Sequence, residues 1–538
     1  MDKYYILDNP VFRKETLPGT EIEYRVVREL KNLFSEYSDW IKIVDIPTDT
    51  WIEEECYIEI NNTHIKCHAL PYVNKTMVEG QLIVLNNPWK IKKTICDNND
   101  CIALIEFPIE IDLAKYIVLE LFSRGFNATI FYDRYPNRYR RVVLTGSRDY
   151  SFNNGSPPPI PAVSIRKEDS VIIKKELGNG NGRVLININA RTIHDVIGKN
   201  VLIGINGSGE KEYHITAHHD HWFTGFSDNL VGLATLYKVV NRLHGEPRVL
   251  PNIVLISFTS EEIGAPYYTS WYWIWGSRYY LDVLEEKSDL ERIYLNINVD
   301  TLYKEPLEIN GNPSIMKCIS ILQQKYGIRY NGYDSMDFDS FSYTLHGIPA
   351  LTINTFDSMK HIYHTDLDNG LGFDRKIMDK TVDLILDLIE CVENIPPKYS
   401  AIIDYLKNIF GEKIPLETKI VISKLESLGE KIGDENKRIR LVTKRFTSTA
   451  YILGLKPYFR NDILGDLIAM KELIETIEEY IDDVVELKNY DKTLVYISPT
   501  RYNLEEIRKS MYQYLANRSR EIDNEINKIL ASEIITRT

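Results

Sequence analysis

The spacing of apolar residues changes along the chain and divides it into regions of different predicted structure. Residues 20–37 carry apolar side chains at helical spacing, with Thr20 at a position typical of a helix N-cap. From about residue 51 to 175, short β-rich runs alternate with turns, and the stretch NNGSPPPIPAVSI at the end predicts a loop that enters an edge strand. The strands predicted in this region are YIEI, QLIVL, CIALIEF, ATIFYD and RVVLTG, and the helix is LAKYIVLELFSRG.

From about residue 182 to 394, near-continuous apolar runs alternate with amphipathic helical patterns. The predicted strands are VLININA, EYHITAH, NIVLISFTS, RIYLNINVD and IPALTINTF, and the helices are NLVGLATLYKVVNRL, IMKCISILQQKYG and RKIMDKTVDLILDLIECV. This alternation is typical of an α/β fold with a doubly wound, mostly parallel sheet that helices cover on both faces. After residue 400 the patterns are almost entirely helical, as in LETKIVISKLESLGEKI and LGDLIAMKELIETIEEYIDDVVEL, which predicts a helical C-terminal domain.

Length and composition narrow the class of protein. A chain of 538 residues is too long for one compact core, so we expect two to four domains. The net charge of −13 argues against nucleic acid as a partner. The apolar runs are far shorter than the roughly 20 residues of a membrane helix, and the N-terminus lacks the pattern of a secretory signal, so we expect a cytoplasmic protein with no membrane association.

The six cysteines are too few, for this length, to indicate a disulfide scaffold. Cys96 and Cys101 bracket the polar loop CDNNDC, and Cys56 and Cys67 flank a predicted hairpin. A single C-x4-C pair is weak evidence for a metal site. We expect unpaired thiols, unless the source is a hyperthermophile, in which cytosolic disulfides occur.

Ionisable residues follow the predicted apolar strands. Ligands of open α/β sheets bind outside the carboxyl ends of the strands, so these side chains should meet in one crevice. The residues concerned are His218, Asp228, Glu261, Glu262, Asp300 and His364. Each alone has an ordinary structural explanation: for example, Asp228 could cap the helix that starts near Asn229, and a Glu-Glu pair is usually solvated surface.

Taken together, the same residues indicate bound cations. Their carboxylates would repel one another in one cleft unless cations lay among them. Imidazole and carboxylate are zinc ligands, and the set is too large for one tetrahedral ion. A pair of ions that share a bridging carboxylate, roughly 3.5–4 Å apart, would use all of it.

The order of these residues resembles that of the co-catalytic zinc aminopeptidase and glutamate carboxypeptidase family. The matching segments are His218-His219-Asp220, Asp228-Asn229, Glu261-Glu262-Ile263-Gly264, Asn298-Val299-Asp300, Gly347-Ile348-Pro349-Ala350 and Tyr363-His364-Thr365. The resemblance implies two zinc ions per chain, one held by His218, Asp228 and Asp300 and the other by Asp228, Glu262 and His364. It also implies a cis peptide between Asp228 and Asn229, and a role for Asp220 in orienting His218.

The family's mechanism implies a metallo-exopeptidase that hydrolyses terminal bonds of a peptide substrate. Zinc lowers the pKa of bound water towards about 7. Glu261 would take the proton as the water attacks the scissile carbonyl, and would then return it to the leaving amine. The zinc ions and Tyr363 would stabilise the oxyanion.

The resemblance extends to the domain arrangement. It implies a zinc peptidase domain at residues 1–55 and 186–395, and an inserted β-rich, protease-associated (apical) domain at residues 56–185. Residues 396–538 resemble the helical dimerisation domain of the glutamate carboxypeptidase and transferrin receptor branch, so we expect a homodimer. The segment Met336-Asp337-Phe338-Asp339 also resembles that branch.

Departures from the family pattern bear on the substrate. In the glutamate carboxypeptidase branch, arginines after the Gly-Ile segment grip an acidic side chain, whereas this chain has Leu351-Thr352-Ile353. Met336 stands where that branch has an Asn that helps to hold a carboxylate. Both changes favour an aminopeptidase, with a carboxypeptidase as the alternative.

A second departure is the stretch APYYTSWYWIW, which separates Gly264 from Gly276-Ser277. We hypothesise that this stretch, with Trp273 and Trp275, lines or covers a pocket that prefers apolar or aromatic side chains. A packing loop or dimer contact is the alternative. Two further classes remain: a non-catalytic receptor-like protein, which the complete ligand set disfavours, and a one-zinc glutaminyl cyclase, which would not require the insert or the helical domain.

Overall fold

The computed structural model describes residues 4–445, 449–452 and 456–459, and scattered positions between 509 and 528. Within residues 4–445, those not described are 86–90, 92–93, 97–98, 109–110, 112–113, 146–156, 179–181, 245–250, 270–271, 332–333, 411–415 and 432. The predicted helical pattern LGDLIAMKELIETIEEYIDDVVEL lies outside the described residues. Among the helices in the described part, none has the length and apolar character needed to cross a membrane.

Helices and strands are interspersed along the described part of the chain. The helices are α1 (Tyr5–Asp8), α2 (Glu21–Phe34), α3 (Ala114–Ser123), α4 (Lys167–Gly178), α5 (Val231–His244), α6 (Trp275–Glu286), α7 (Met316–Tyr326), α8 (Ser340–Leu345), α9 (Phe356–Met359), α10 (Arg375–Asn394), α11 (Tyr399–Phe410), α12 (Leu416–Lys431) and α13 (Glu435–Arg445). The strands are β1 (Trp40–Ile60), β2 (Thr63–Lys66), β3 (His68–Ala69), β4 (Thr76–Leu85), β5 (Cys101–Glu106), β6 (Phe126–Tyr132), β7 (Ala162–Ile165), β8 (Arg183–Ile205), β9 (Glu212–His218), β10 (Asn252–Phe258), β11 (Ile293–Val299), β12 (Glu308–Gly311), β13 (Arg329–Asn331), β14 (Ala350–Asn354), β15 (Thr449–Ile452) and β16 (Lys456–Phe459).

The predicted α/β fold is confirmed. Strands β9, β10, β11 and β14 are parallel neighbours in a sheet of 14 strands, in the order β13-β12-β14-β11-β9-β10-β8-β4-β5-β6-β7-β3, with β1 and β2 attached through β8. Alternate residues of β10 point into different cores. Ile253 and Leu255 pack against α2, α5, α7 and α10, whereas Val254 and Ile256 pack against α6 and α8. Helices therefore cover both faces of this half of the sheet.

Two long antiparallel strands join this half of the sheet to the other. Strands β1 and β8 pair from Trp40 opposite Gly204 to Glu59 opposite Leu185, and β4 to β7 continue the sheet as parallel neighbours. The domain boundaries predicted at 55/56 and 185/186 fall inside β1 and β8. We call residues 56–185 the insert, and it shares one continuous sheet with the rest.

Helix α2 shows how local sequence sets an element. The Thr20 side chain accepts a hydrogen bond from the Glu23 amide at 3.2 Å, which satisfies an N-terminal donor of the helix. The apolar residues then repeat at helical spacing and bury one side of the helix against the core, as predicted; those buried are Val26, Val27, Leu30, Leu33 and Phe34.

Two predictions for the insert are wrong. The run RVVLTG is not a strand: Arg140 makes one isolated bridge with Thr365, and the Arg141 amide donates to the His364 carbonyl at 2.9 Å. Its backbone groups bind a distant loop, so they do not extend a ladder. Strand β7, which follows the proline cluster, is not at the edge of the sheet, because β3 pairs along its outer side.

The expectation of unpaired thiols is also wrong. The cysteines form the disulfides Cys56–Cys67, Cys96–Cys101 and Cys318–Cys391, and no described cysteine is free. The fold brings each pair to a Cα separation of 5.0–6.0 Å, within the range that a disulfide spans. The last pair joins α7 to α10, which are distant in sequence, so their approach was invisible to spacing arguments.

Candidate metal centre

The candidate residues emerge where the parallel strands end. His218 is the last residue of β9, and Asp300 directly follows β11. Glu261 and Glu262 lie in the turn that follows β10. His364 lies in the segment between α9 and α10, which we call the His364 loop (residues 360–374). The expected convergence at the carboxyl edge of the sheet is therefore what the structure shows.

Asp228 lies between the two imidazoles and presents one carboxylate oxygen to each. Its Oδ1 is 3.3 Å from His218 Nε2, and its Oδ2 is 3.6 Å from His364 Nε2. Asp300 Oδ1 lies 3.5 Å from His218 Nε2, and Glu262 Oε2 lies 2.8 Å from His364 Nε2. These distances place the side chains in two groups that share Asp228. The two ligand sets that the resemblance implies have the same members, and their binding of metal stays a prediction.

The centre is buried and strongly negative. The side chains of Asp228, Asp300 and His218 are 5% exposed or less. Burial raises the pKa of Asp300 above its usual value, and the charge of Asp228 raises it further. Burial also raises the pKa of Glu262 well above its usual value, again with Asp228 contributing. Buried carboxylates of this kind are stabilised by a nearby cation.

Unpaired oxygens at the same place support a cation. Asp228 Oδ2 and Glu262 Oε1 are buried and make no hydrogen bond within the described part of the chain. Ligand atoms of His218, Asp228 and Glu262 all lie within 4.8 Å of one another. Imidazole nitrogen and carboxylate oxygen are a zinc donor set, so the residues present fit that metal.

The backbone around Asp228 is held by groups on either side. The Asp228–Asn229 peptide is cis, as the resemblance implies. Asn229 donates from Nδ2 to the Val299 carbonyl at 2.9 Å and accepts from the Gly232 amide at 3.1 Å. Asp368 accepts from the amides of Ser227 and Asp228 at 2.9 and 3.1 Å.

Asp368 is a residue that the sequence analysis missed. It is buried, and burial raises its pKa to about 7. Its role is to hold the backbone that carries the shared carboxylate. The only sequence signal for it is an acidic residue four positions after His364, and that spacing alone has many ordinary explanations.

Asp220 contacts His218 through its backbone carbonyl. The His218 Nδ1 atom lies 2.9 Å from the backbone carbonyl of Asp220, so the main chain, and not the carboxylate, fixes this imidazole. The Asp220 carboxylate instead accepts from the amides of Glu261 and Glu262, both at 3.0 Å. Asp220 thus contacts both the histidine and the glutamate pair, through different atoms.

Glu261 and Tyr363, the remaining predicted catalytic residues, lie beside the centre. Burial raises the pKa of Glu261 well above its usual value, and the charge of Glu262 adds to this against the opposing charge of His218. The Tyr363 ring stacks on His364 with ring centroids 3.7 Å apart, and its edge meets Phe356. Tyr363 is thus positioned by contact with a predicted ligand, whereas Glu261 experiences the charges of two predicted ligands.

The aromatic stretch divides into two environments. Trp273 donates from its indole nitrogen to the Met336 carbonyl at 2.9 Å and packs beside Phe341. Trp275, the first residue of α6, donates to the Pro47 carbonyl at 2.7 Å and packs, partly buried, against the core cluster that includes Ile46 of β1. The packing alternative thus describes Trp275. Ser270 and Trp271 lie outside the described residues.

Asp339 adds a buried carboxylate near the same edge. The Ser277 hydroxyl donates to its Oδ1 at 2.5 Å, while Oδ2 makes no hydrogen bond among the described residues. Burial raises the pKa of Asp339 to about 7. Its charge in turn contributes to the raised pKa of Glu261, so the two carboxylates interact.

Comparisons with known proteins agree with this architecture. Residues 200–389 match the sequence profile of peptidase family M28. No curated protein matches the chain. A zinc aminopeptidase from Bacillus subtilis has 17% identity and a TM-score of 0.55, with 73% of this chain and 93% of that chain covered. A peptidase M28 precursor from Shewanella amazonensis has 17% identity and a TM-score of 0.59, with 72% of this chain and 92% of that chain covered. An aminopeptidase from Aneurinibacillus has 18% identity and a TM-score of 0.51, with 72% of this chain and 92% of that chain covered.

Proposed function

The chain carries a peptidase family M28 domain and is a metallopeptidase, and from that premise we propose that it is a zinc aminopeptidase with two ions per chain. It would release N-terminal residues from peptides. The proposal rests on one observation above the others: Asp228 presents one oxygen to each of two imidazoles. A carboxylate placed in this way is suited to bridge two cations.

In this proposal the ligands divide into two sets around Asp228. His218 and Asp300 complete one set, and Glu262 and His364 complete the other. When bound, zinc ions acidify water and polarise a substrate carbonyl. The protein's part is to hold the ligands in place and to exclude bulk water. The low exposure of the ligand side chains, from 1% for His218 to 11% for His364, supports both.

Glu261 is the proposed general base. It belongs to neither ligand set, and its backbone amide is fixed by Asp220. A general base works best with a pKa near the working pH, and burial shifts the pKa of Glu261 upwards from the usual carboxylate value. Glu261 would accept the proton of the attacking water and deliver it to the leaving amine, while the Tyr363 hydroxyl would donate to the developing oxyanion.

Two features favour a free amine over a free carboxylate at the terminal residue. Two buried arginines that contact the His364 loop already have carboxylate partners: Arg140 pairs with Asp133 at 2.7 Å, and Arg141 pairs with Glu53 at 2.8 Å. Buried carboxylates, Asp339 among them, make the surroundings negative, which attracts an ammonium group and repels a carboxylate.

We further propose that the Trp273–Met336 contact forms part of a pocket for apolar or aromatic side chains, because Trp273 lies close in sequence to the glutamate pair and packs on apolar neighbours. The homodimer, the protease-associated character of the insert and the cytoplasmic location remain predictions. The disulfides are typical of an oxidising compartment or of a hyperthermophile cytosol, so they weigh against a reducing cytosol.

The experiment that tests the proposed function compares peptides with free and acetylated N-termini. We expect hydrolysis of the free-amine peptides, its loss with a chelator and its recovery with zinc. The variant Glu261→Gln should lose about 10²–10⁴-fold in kcat while it still binds zinc. Equal cleavage of blocked and free peptides, or no cleavage by zinc-loaded protein, would overturn the proposal.

A further inference from the structure

A segment of the insert binds the loop that carries His364. Residues 138–141, which we call the insert clamp, run antiparallel to the His364 loop, with one bridge between Arg140 and Thr365. The Arg141 amide donates to the His364 carbonyl at 2.9 Å, and the Tyr139 amide donates to Asp366 Oδ1 at 2.9 Å. The insert clamp therefore contacts the candidate ligand and the two residues that follow it.

Arg140 is the centre of this contact. Its guanidinium donates from one terminal nitrogen to the Tyr363 carbonyl, and the other lies 3.5 Å from the His361 carbonyl. Its Nε donates to Asp133 Oδ2 at 2.7 Å. The side chains of Arg140 and Asp133 are 4% and 1% exposed, so this ion pair is buried where the insert meets the His364 loop.

The clamp is itself fixed within the insert. The Arg140 amide donates to the Ser164 hydroxyl on β7 at 3.0 Å, and Asp133 accepts a second hydrogen bond from the Tyr135 amide at 2.9 Å. The guanidinium thus has a rigid base on the insert side. Its planar fork can address carbonyls at two positions, which a lysine ammonium cannot do with the same geometry.

The other side of the contact is a strained residue. His364 has φ of +57°, a left-handed conformation that is uncommon for residues other than glycine and persists when surrounding contacts hold it. Its imidazole must nevertheless reach both Glu262 and Asp228. Donors to the carbonyls of residues 363 and 364 come from Arg140 and Arg141, so the insert supplies a large part of what holds this backbone.

We propose that Arg140, through its buried pair with Asp133, is a positioning residue for His364, and that the insert thereby sets the affinity of the cation site that includes Glu262 and His364. The inference rests on the proposed two-cation centre. On this inference the insert is part of the catalytic unit, because Arg140 lies outside residues 200–389, which match the peptidase profile, and yet orients one of the proposed metal ligands. Groups that orient metal ligands typically contribute 10–100-fold to metal affinity or activity.

The test measures zinc binding, with hydrolysis as a separate assay. Zinc affinity of each site would be measured by competition with a chromogenic chelator, and the visible spectrum of the cobalt-loaded protein would report ligand geometry. The variant Arg140→Lys keeps a cation beside Asp133. The double variant Asp133→Asn/Arg140→Gln removes both buried charges together, so neither is left buried without a partner, which would destabilise the fold. Arg134→Gln is the matched control, since Arg134 pairs with Glu106 within the insert and is more exposed.

We expect both test variants, confirmed as folded by circular dichroism, to bind the second zinc ion about 10–100-fold more weakly, with an altered cobalt spectrum. Arg134→Gln should behave like the wild type, and His364→Ala should lose the second ion altogether. Second-site affinity within about twofold of wild type in both test variants would overturn the inference. A wild type that binds two zinc ions but cleaves no peptide would instead refute the proposed function and leave this inference standing.

Discussion

The substitution Asp220→Asn tests the role of the Asp220 carboxylate in holding the glutamate pair. In the wild type, both oxygens accept hydrogen bonds, one from the Glu261 amide and one from the Glu262 amide, each at 3.0 Å. Asparagine keeps one side-chain oxygen but replaces the other by an NH2 group. That NH2 group is itself a donor, so it cannot accept the hydrogen bond of the backbone amide opposite it. One buried amide therefore loses its acceptor, at a cost of about 1–3 kcal/mol, and the other exchanges a charged acceptor for a neutral one.

Part of this loss is offset within the same site. Burial raises the pKa of Asp220, which means that its charged form is costly to hold there, and asparagine removes that charge. The net expected decrease in the free energy of unfolding is therefore about 1–3 kcal/mol. Because the strain falls on the backbone of Glu261 and Glu262, zinc affinity should also fall, by about 10–100-fold.

The measurement is urea unfolding of the zinc-free protein together with chelator competition of the loaded protein. His218 is held by the Asp220 main-chain carbonyl, so it should remain in place in the variant. The site that contains Glu262 should therefore weaken more than the site that contains His218. The reasoning is refuted if unfolding is unchanged, or if the loss falls mainly on the His218 site, as a carboxylate contact to that imidazole would require.

Further predictions concern pH, specificity and covalent stability. Burial acts to raise the pKa of Glu53, but the charge of Arg141 and the hydrogen bond with His68 outweigh it, so the folded-state pKa lies below the usual value. The stability this gives is present above the unfolded pKa of about 4.3 and is lost as the pH falls through the folded pKa. Acid unfolding curves of wild type and Glu53→Gln should therefore differ most near neutrality and converge only once the pH is below the folded-state pKa of Glu53. Trp273→Ala should change the relative rates on Leu, Phe and Lys substrates, whereas Trp275→Ala should lower the melting temperature and leave those ratios unchanged; equal ratios in both variants would remove Trp273 from the pocket. Replacing Cys318 and Cys391 by Ala should lower the free energy of unfolding by about 4 kcal/mol, because the disulfide closes a long segment, and unchanged urea unfolding would contradict that bond.

The centre of the fold was predictable because its signals are local and repeated. Fully buried parallel strands read as continuous apolar runs, and the runs that became β9, β10, β11 and β14 stand out for that reason. In such sheets the functional side chains lie just after the ends of the strands. The sequence therefore indicated which ionisable residues would come together, although it did not give their distances.

The segments that connect the insert to the rest of the chain could not be predicted from periodicity or composition. Strand β1 passes through exposed positions such as Glu54 and Glu55 and carries Pro47, so no single periodicity marks its whole length. The segment that includes Arg140 has the β-rich composition of a strand, yet its backbone bonds to a loop more than 200 positions away. Composition cannot show which partner a backbone will find.

Residues that act through the backbone were equally hidden. Asp368 and Asp220 each accept amide hydrogen bonds beside candidate ligands. Their residue type is common and their partners are main-chain groups, which every residue possesses. Only the three-dimensional arrangement distinguishes them from surface aspartates.

The most direct test of the two-cation centre is anomalous scattering at the zinc edge from crystals of the zinc-loaded protein. The account predicts two peaks per chain, one beside each carboxylate oxygen of Asp228, with His218 and Asp300 around the first and Glu262 and His364 around the second. A single peak per chain, or peaks that Asp228 does not contact, would contradict it.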